Sequence, residues 1–180
     1  MATTGFRRAR GGAVTMTVPE DEAPVLRGLL EQLAELVAPA EPLDDDPLAA
    51  LVGIGSQTGT PDDPVLARLF PDAYPDDQEA ASEFRRYTES GLRESKQSNA
   101  RTALATLDAP GTEHRLTDFE VQAWLGALND LRLALGTRLD VTEDWHAQAA
   151  ALDPDDPALV LFSVYDWLSM LQELLVRCLR

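Results

Sequence analysis

Residues 117–136, TDFEVQAWLGALNDLRLALG, open like a helix start and then stay apolar almost all round. Thr117 and Glu120 have the spacing of a capping box, in which the two side chains satisfy free backbone N–H groups of the first turn. Trp124, Leu128, Leu131 and Leu135 recur at helical intervals, and Val121, Leu125 and Leu133 widen that stripe. A helix this apolar needs cover on most sides, which places it at the centre of a bundle. Gly136 is expected to end it or loosen its last turn.

The segments on either side supply the cover. Downstream, Leu161, Val164, Leu168, Leu171, Leu175 and Cys178 alternate at spacings of three and four, a seam for packing against other helices. Upstream, Leu26, Leu29, Leu30, Leu33 and Val37 repeat at helical intervals as far as Pro39, and Thr17 with Glu20 has the capping-box spacing ahead of them. Asp46-Pro47, Asp63-Pro64 and Asp156-Pro157 each precede an apolar run. An aspartate at a helix start accepts from free N–H groups, and a proline in the first turn gives up a donor that had no partner, so helices are predicted near 47–53, 64–70 and 157–179. Between the first two, GIGSQTGTPDD reads as an exposed loop. Asp76 and Glu79 open a long helix running to about Leu107, with Phe84, Tyr87, Leu92, Ala103 and Leu104 on its apolar side. Its middle, RESKQSNAR, is polar on nearly every face and is expected to project past the core or to be covered by a partner.

The N-terminus reads differently. Val14, Met16 and Val18 alternate with small or polar residues, FRRAR precedes them as a partner strand, and Gly11-Gly12 can supply the positive φ angles of a two-residue turn. The expected fold is therefore mainly α, a helical bundle with a short N-terminal β-hairpin. It forms a single domain over residues 1–180, with a hairpin arm at 1–19 and the bundle at 20–180.

Charge narrows the function. The chain has 31 acidic and 15 basic side chains, for a formal net charge of -16, and a field of that sign repels nucleic acid. DNA is therefore expected to be contacted only weakly or through a partner. Residues 39–80 hold ten acids and one base, Arg68, whereas residues 1–19 hold Arg7, Arg8 and Arg10 and no acid. No run of apolar residues reaches membrane-spanning length and no leader pattern opens the chain, so a cytoplasmic location without a membrane partner is expected.

Glu143, Asp144 and His146 share one turn and cannot all point at one metal ion, and acids at a helix start complement its dipole. Asp44 to Asp46 and Asp155 with Asp156 lack the spacing of a calcium loop. Cys178, the only cysteine, sits on an apolar seam and reads as buried and structural. GIGSQTG lacks the lysine of a phosphate-binding loop. With no nucleophile and base, no metal site and no phosphate cradle, the chain reads as non-enzymatic and without a cofactor. Asn129, Asp130, Arg132 and Asp166 lie in apolar helices and are read as a structural polar network that holds bundle register. Arg7, Arg8 and Arg10, with Arg85 and Arg86 and further along Arg93, Lys96 and Arg101, are the candidate for one positive interaction surface, and the plainer alternative is pairing along the helix surface, Glu89 with Arg85, Arg86 and Arg93.

FRRARGG at 6–12, DPLAALVGI at 46–54, DPVLARLFPDAY at 63–74, EFRRYTE at 83–89, ALNDLRLALGTRL at 127–139 and VYDWLSMLQELLVR at 164–177 together resemble an actinobacterial domain-of-unknown-function family. That family includes the actinobacterial oxidative stress regulators, and the resemblance runs in order over about 170 residues. It implies a transcription-linked role in which the protein engages a stress sigma factor or RNA polymerase. It also implies a gene setting near a Clp-protease adaptor and cysteine biosynthesis genes, from which the alternative role is an adaptor or accessory factor in proteolysis or cysteine metabolism. Members described as redox sensors use a cysteine pair near the N-terminus. The matching stretch here, TTGFRRARGG, has none, so that disulfide switch is not carried over.

Overall fold

A computed structural model describes residues 5–39, 61–108 and 110–180. The helix expected near 47–53, most of the loop before Pro61 and the acids from Glu41 to Asp46 lie outside the described residues. Strands β1 (Gly5–Arg8) and β2 (Val14–Thr17) are followed by helices α1 (Ala23–Leu36), α2 (Pro64–Leu69) and α3 (Gln78–Ala105). Strand β3 (Glu113–Leu116) and helices α4 (Asp118–Arg138), α5 (Trp145–Ala150) and α6 (Ala158–Cys178) complete the order.

α4 is the central element, packed against α1, α2, α3, α6 and β3. Its start is the capping box expected from Thr117 and Glu120: the Glu120 N–H donates to Thr117 Oγ1 at 3.2 Å, and the Thr117 N–H donates to Glu120 Oε2 at 2.7 Å. Trp124, Ala127, Leu128 and Leu131 are buried, and Trp124 Nε1–H donates to Thr106 Oγ1 at 3.0 Å. Gly136 does not end the helix, which runs on to Arg138. A Cβ there would stand 3.2 Å from the Tyr165 ring, so the glycine leaves room for α6.

The hairpin forms, with two corrections. Gly11 and Gly12 have φ of +86° and +84° as expected, but the turn is longer than two residues, because the Ala9 N–H donates to Ala13 O at 2.7 Å outside it. The second correction is β3, which pairs antiparallel with β2 and makes a three-stranded sheet in the order β1-β2-β3. Phe6, Val14, Met16 and Leu116 turn to one face and are buried in the same core as the helices. The hairpin is thus a wall of the core rather than a projecting arm.

Helix caps follow the aspartates closely. Asp63 Oδ1 accepts from the Val65 N–H at 2.7 Å, and Asp156 Oδ1 accepts from the Ala158 N–H at 2.8 Å. The cap of α3 is Asp77, accepting from the Ala80 N–H at 3.0 Å, one residue beyond the expected Asp76. Thr17 does not cap α1. It closes β2 opposite Gly5 and Glu113, and α1 starts after a turn in which the Glu22 and Ala23 N–H groups donate to Pro19 O.

α3 differs most from its expectation. It packs against α1 and α4 rather than projecting past the core, and Arg85 in its first half bonds Phe70 and Asp72. The inward residues of its first half are Ala81, Arg85, Glu89 and Arg93, followed by Ala100 and Ala103, whereas Phe84, Tyr87 and Leu92 are exposed. The helix is turned so that its ion pairs face inward. α6 buries Leu168, Leu171, Leu175 and Cys178 against α4 and β1. Leu161 is exposed, because Phe162 takes the inward place beneath Trp145 of α5, their rings parallel at 6.1 Å. By length and composition α6 is apolar enough to cross a membrane, which the sequence reading did not anticipate.

Candidate interaction surfaces

Two buried clusters of charged residues stand out among the described residues, beside an exposed set of arginines. In the first cluster the spacing of Arg85, Glu89 and Arg93 places successive side chains one turn apart. Arg85 Nη1 donates to Glu89 Oε2 at 2.5 Å, and Arg93 Nε donates to Glu89 Oε1 at 2.8 Å. Arg85 Nη2 also reaches Asp72 Oδ1 at 2.6 Å and Phe70 O at 2.9 Å. The Arg93 guanidinium lies over the Phe70 ring, 4.5 Å from its centroid, and donates to Ala38 O at 3.3 Å. These contacts tie α3 to the chain just after α1 and α2. Hydrogen bonding to Asp72 and Glu89 outweighs burial and holds the Arg85 guanidinium above its ordinary pKa.

The second cluster joins α3 to α4. Lys96 Nζ donates to Asp130 Oδ1 at 2.7 Å, and Asp130 is only 2% exposed. Burial pushes the Asp130 carboxyl above the usual aspartate range, against the opposing pull of Lys96 and Asn129.

Of the expected polar network, Asn129 and Asp130 therefore belong together. Arg132 lies apart on the α6 side, where Nε donates to Ser169 Oγ at 2.8 Å, Nη1 donates to Gln172 Oε1 at 2.5 Å, and the guanidinium stacks over Tyr165. Asp166 is exposed on α6 and does not join either group. The network is really two separate helix-to-helix locks.

The expected single basic surface is likewise divided. Arg7, Arg8 and Arg10 are exposed on the hairpin, and Arg86 is exposed on α3, but Arg85 is 5% exposed and engaged with carboxylates. The two sets lie far apart. Phe6 of β1 packs edge-on against Trp124, which bonds Thr106 at the far end of α3. At 1.5 Å rise per residue, Arg85 stands about 30 Å away along the helix. The residue that shares a sheet face with Arg7 is instead Arg115. The register Arg7↔Thr15↔Arg115 sets the Arg7 and Arg115 side chains on one face of the sheet, whereas Arg8 alternates to the other face, and Arg115 is exposed. It escaped the sequence reading because β3 did.

Cys178 is buried at the end of α6, and its thiol is pushed up by burial with Arg8 opposing. His146 stacks on the Trp145 ring at 3.7 Å. Among the described residues, no three His, Cys, Asp or Glu side chains gather as metal ligands would.

The model of a family described as a domain of unknown function, DUF2017, matches residues 3–179. A Mycobacterium leprae protein bearing the name AosR is 34% identical over 188 residues, covering 95% of this chain and 84% of its own length. Proteins of Mycobacterium bovis and Mycobacterium tuberculosis named oxidative stress regulator AosR are each 35% identical over 147 residues. Those matches cover 73% of this chain and 65% of the relatives, just under two thirds of their length. No solved structure matches.

Proposed function

Because the chain belongs to the DUF2017 family, we propose that it is a non-enzymatic regulator of the oxidative stress response that acts by contact with a sigma factor or RNA polymerase. The names of its mycobacterial relatives support the stress-regulatory part. The observation that carries the contact part is the basic end of the sheet, where Arg7, Arg8, Arg10 and Arg115 are exposed on a chain whose formal net charge is -16. Guanidinium groups offer forked donors for carboxylates and phosphates, and the surrounding negative field disfavours free DNA unless a partner brings it close. The protein acts in the cytoplasm, where polymerase is. With one cysteine in this sequence, an intramolecular disulfide is not its input, and it works as a constitutive partner or reads another signal.

The test is binding of the purified chain to core RNA polymerase, to holoenzyme and to individual stress sigma factors of the native host, with and without peroxide, comparing wild type with an Arg7→Ala, Arg8→Ala, Arg10→Ala triple variant. Binding that the triple variant loses while keeping its melting temperature supports the proposal. Retention of neither polymerase nor any sigma factor by wild type overturns it.

A further inference from the structure

Phe84, Tyr87 and Leu92 on the outer side of α3 are 45%, 58% and 48% exposed. Tyr74, also exposed, packs edge-on against Phe84 with ring centroids 6.0 Å apart. Large apolar side chains scattered singly need no explanation, but Tyr74 and Phe84 pack together, Tyr87 follows Phe84 by one turn, and Phe84 and Leu92 line one groove, a grouping of the kind that marks an interaction site. Thr88 lies between Phe84 and Leu92 on that face, and Gly91 opens onto space, with nothing within 4 Å of where a Cβ would stand. A shallow groove runs at its foot, with Phe70, Phe84 and Leu92 among its apolar lining and Asp72, Arg85 and Glu89 among its polar lining. From residue 84 to residue 92 the face extends about 12 Å, two turns of a docked helix.

The support under this face is rigid. Its inward neighbours Arg85, Glu89 and Arg93 are locked to one another and to Asp72 and Phe70, so the aromatic side chains are held outward with no alternative inward packing. The rim is acidic: Asp76, Asp77, Glu79, Glu83 and Glu94 are exposed around it, with Arg86 the exposed base among them.

We propose that this face is a docking site for a basic amphipathic helix of a protein partner. Apolar side chains at i, i+3 or i+4 and i+7 of such a helix fill the face between Phe84 and Leu92, and its flanking lysines or arginines meet the acidic rim. A second copy of this chain is the wrong occupant, since its formal net charge of -16 brings like charge to the rim. The site lies about 20 to 30 Å along α3 from Thr106, near which the sheet packs, so it is a second surface, independent of the contact proposed above.

The test uses a fluorescent amphipathic peptide of leucine and lysine, about 18 residues long so that it holds a helix, with a leucine–glutamate peptide of the same pattern as control. Anisotropy is read against the full chain and against Phe84→Ser/Leu92→Ser, which leaves the charge unchanged. The expected result is binding of the basic peptide alone, weakened at least about tenfold by the double substitution and weakened again by Glu83→Lys/Glu94→Lys. Three outcomes overturn it. Equal binding by wild type and the double variant means that charge alone attracts the peptide. A dimer in sedimentation that the double substitution dissolves means that a second copy is the occupant. A melting temperature lowered by more than about 3 °C in the double variant means that the chain covers this face itself.

Discussion

Lys96 reaches across from α3 to place its ammonium 2.7 Å from Asp130 of α4, and this contact fixes how the two longest-packed helices meet. The pair is asymmetric, with the aspartate side chain 3% exposed and the lysine 20% exposed. Removing one member therefore leaves a charge that water cannot fully reach. Lys96→Met is expected to lower unfolding stability by about 3 kcal/mol, measured by urea denaturation. Lys96→Met/Asp130→Leu removes both charges and should recover most of the loss. A double variant as unstable as the sum of its singles would show that the two residues are not coupled.

The same aspartate carries a pH signature. Its folded pKa is raised, first by burial and only partly offset by Lys96 and Asn129, so the native state holds the proton more tightly than the unfolded chain. The contribution is therefore fully present below the unfolded value of about 3.9 and is lost as pH rises through the folded value. Relative to Asp130→Asn, wild type should lose stability from about pH 4 upward until that value is passed, and stay level beyond. In Lys96→Met the window should stretch to higher pH, because the opposing charge is gone. Denaturation of the three proteins at stepped pH reads this directly, and a wild-type advantage that grows with pH would contradict it.

Glu89 sits between two buried guanidiniums and accepts from both. Glu89→Ala strips Arg85 and Arg93 of their shared counter-charge, although Arg85 retains Asp72. The expected loss is about 3 kcal/mol. Arg86, next in sequence and exposed, is the control: Arg86→Ala should change stability by no more than about 0.5 kcal/mol. Thermal melts that rank the two variants the other way would mean that α3 is turned as its apolar residues alone suggest.

That turn of α3 also shows where sequence was legible and where it was not. Asp63, Asp156 and the Thr117–Glu120 box were readable because a cap is settled within four residues of chain. The central place of α4 was readable because a helix apolar on most sides has few alternatives. Phe84, Tyr87 and Leu92 misled because apolar spacing identifies an inward face only when polar residues face out. Here the inward face is satisfied by ion pairs, Arg85–Glu89 and Glu89–Arg93 within the helix and Asp72 and Asp130 from outside it. β3 was missed because Glu113-His114-Arg115-Leu116 has one apolar residue, Leu116, and is made a strand by β2, almost a hundred residues earlier. Arg115 could have been found only with that pairing in hand, whereas the Arg85–Glu89 pairing is legible at i,i+4 and only Asp72 and the inward turn of the pair needed the fold.

Cys178 links the C-terminal end of the chain to the hairpin, and its reactivity is set by both. The residue is 8% exposed, burial raises its thiol pKa, and Arg8 of β1 is the charge that opposes the rise. Only the thiolate attacks disulfides and peroxides, and each unit of pKa is tenfold in thiolate at neutral pH. Native Cys178 should therefore react with a disulfide reagent at least about tenfold more slowly than the same chain in urea. Arg8→Ala should slow the native reaction further and leave the rate in urea unchanged, since the arginine acts only where the fold brings it near. Rates read across pH separate a shifted pKa from plain steric protection: the first moves the midpoint of the profile, whereas the second lowers the plateau. A native rate equal to the unfolded one would show that α6 frays open at its end, and would make this thiol accessible to oxidants without any change elsewhere in the fold.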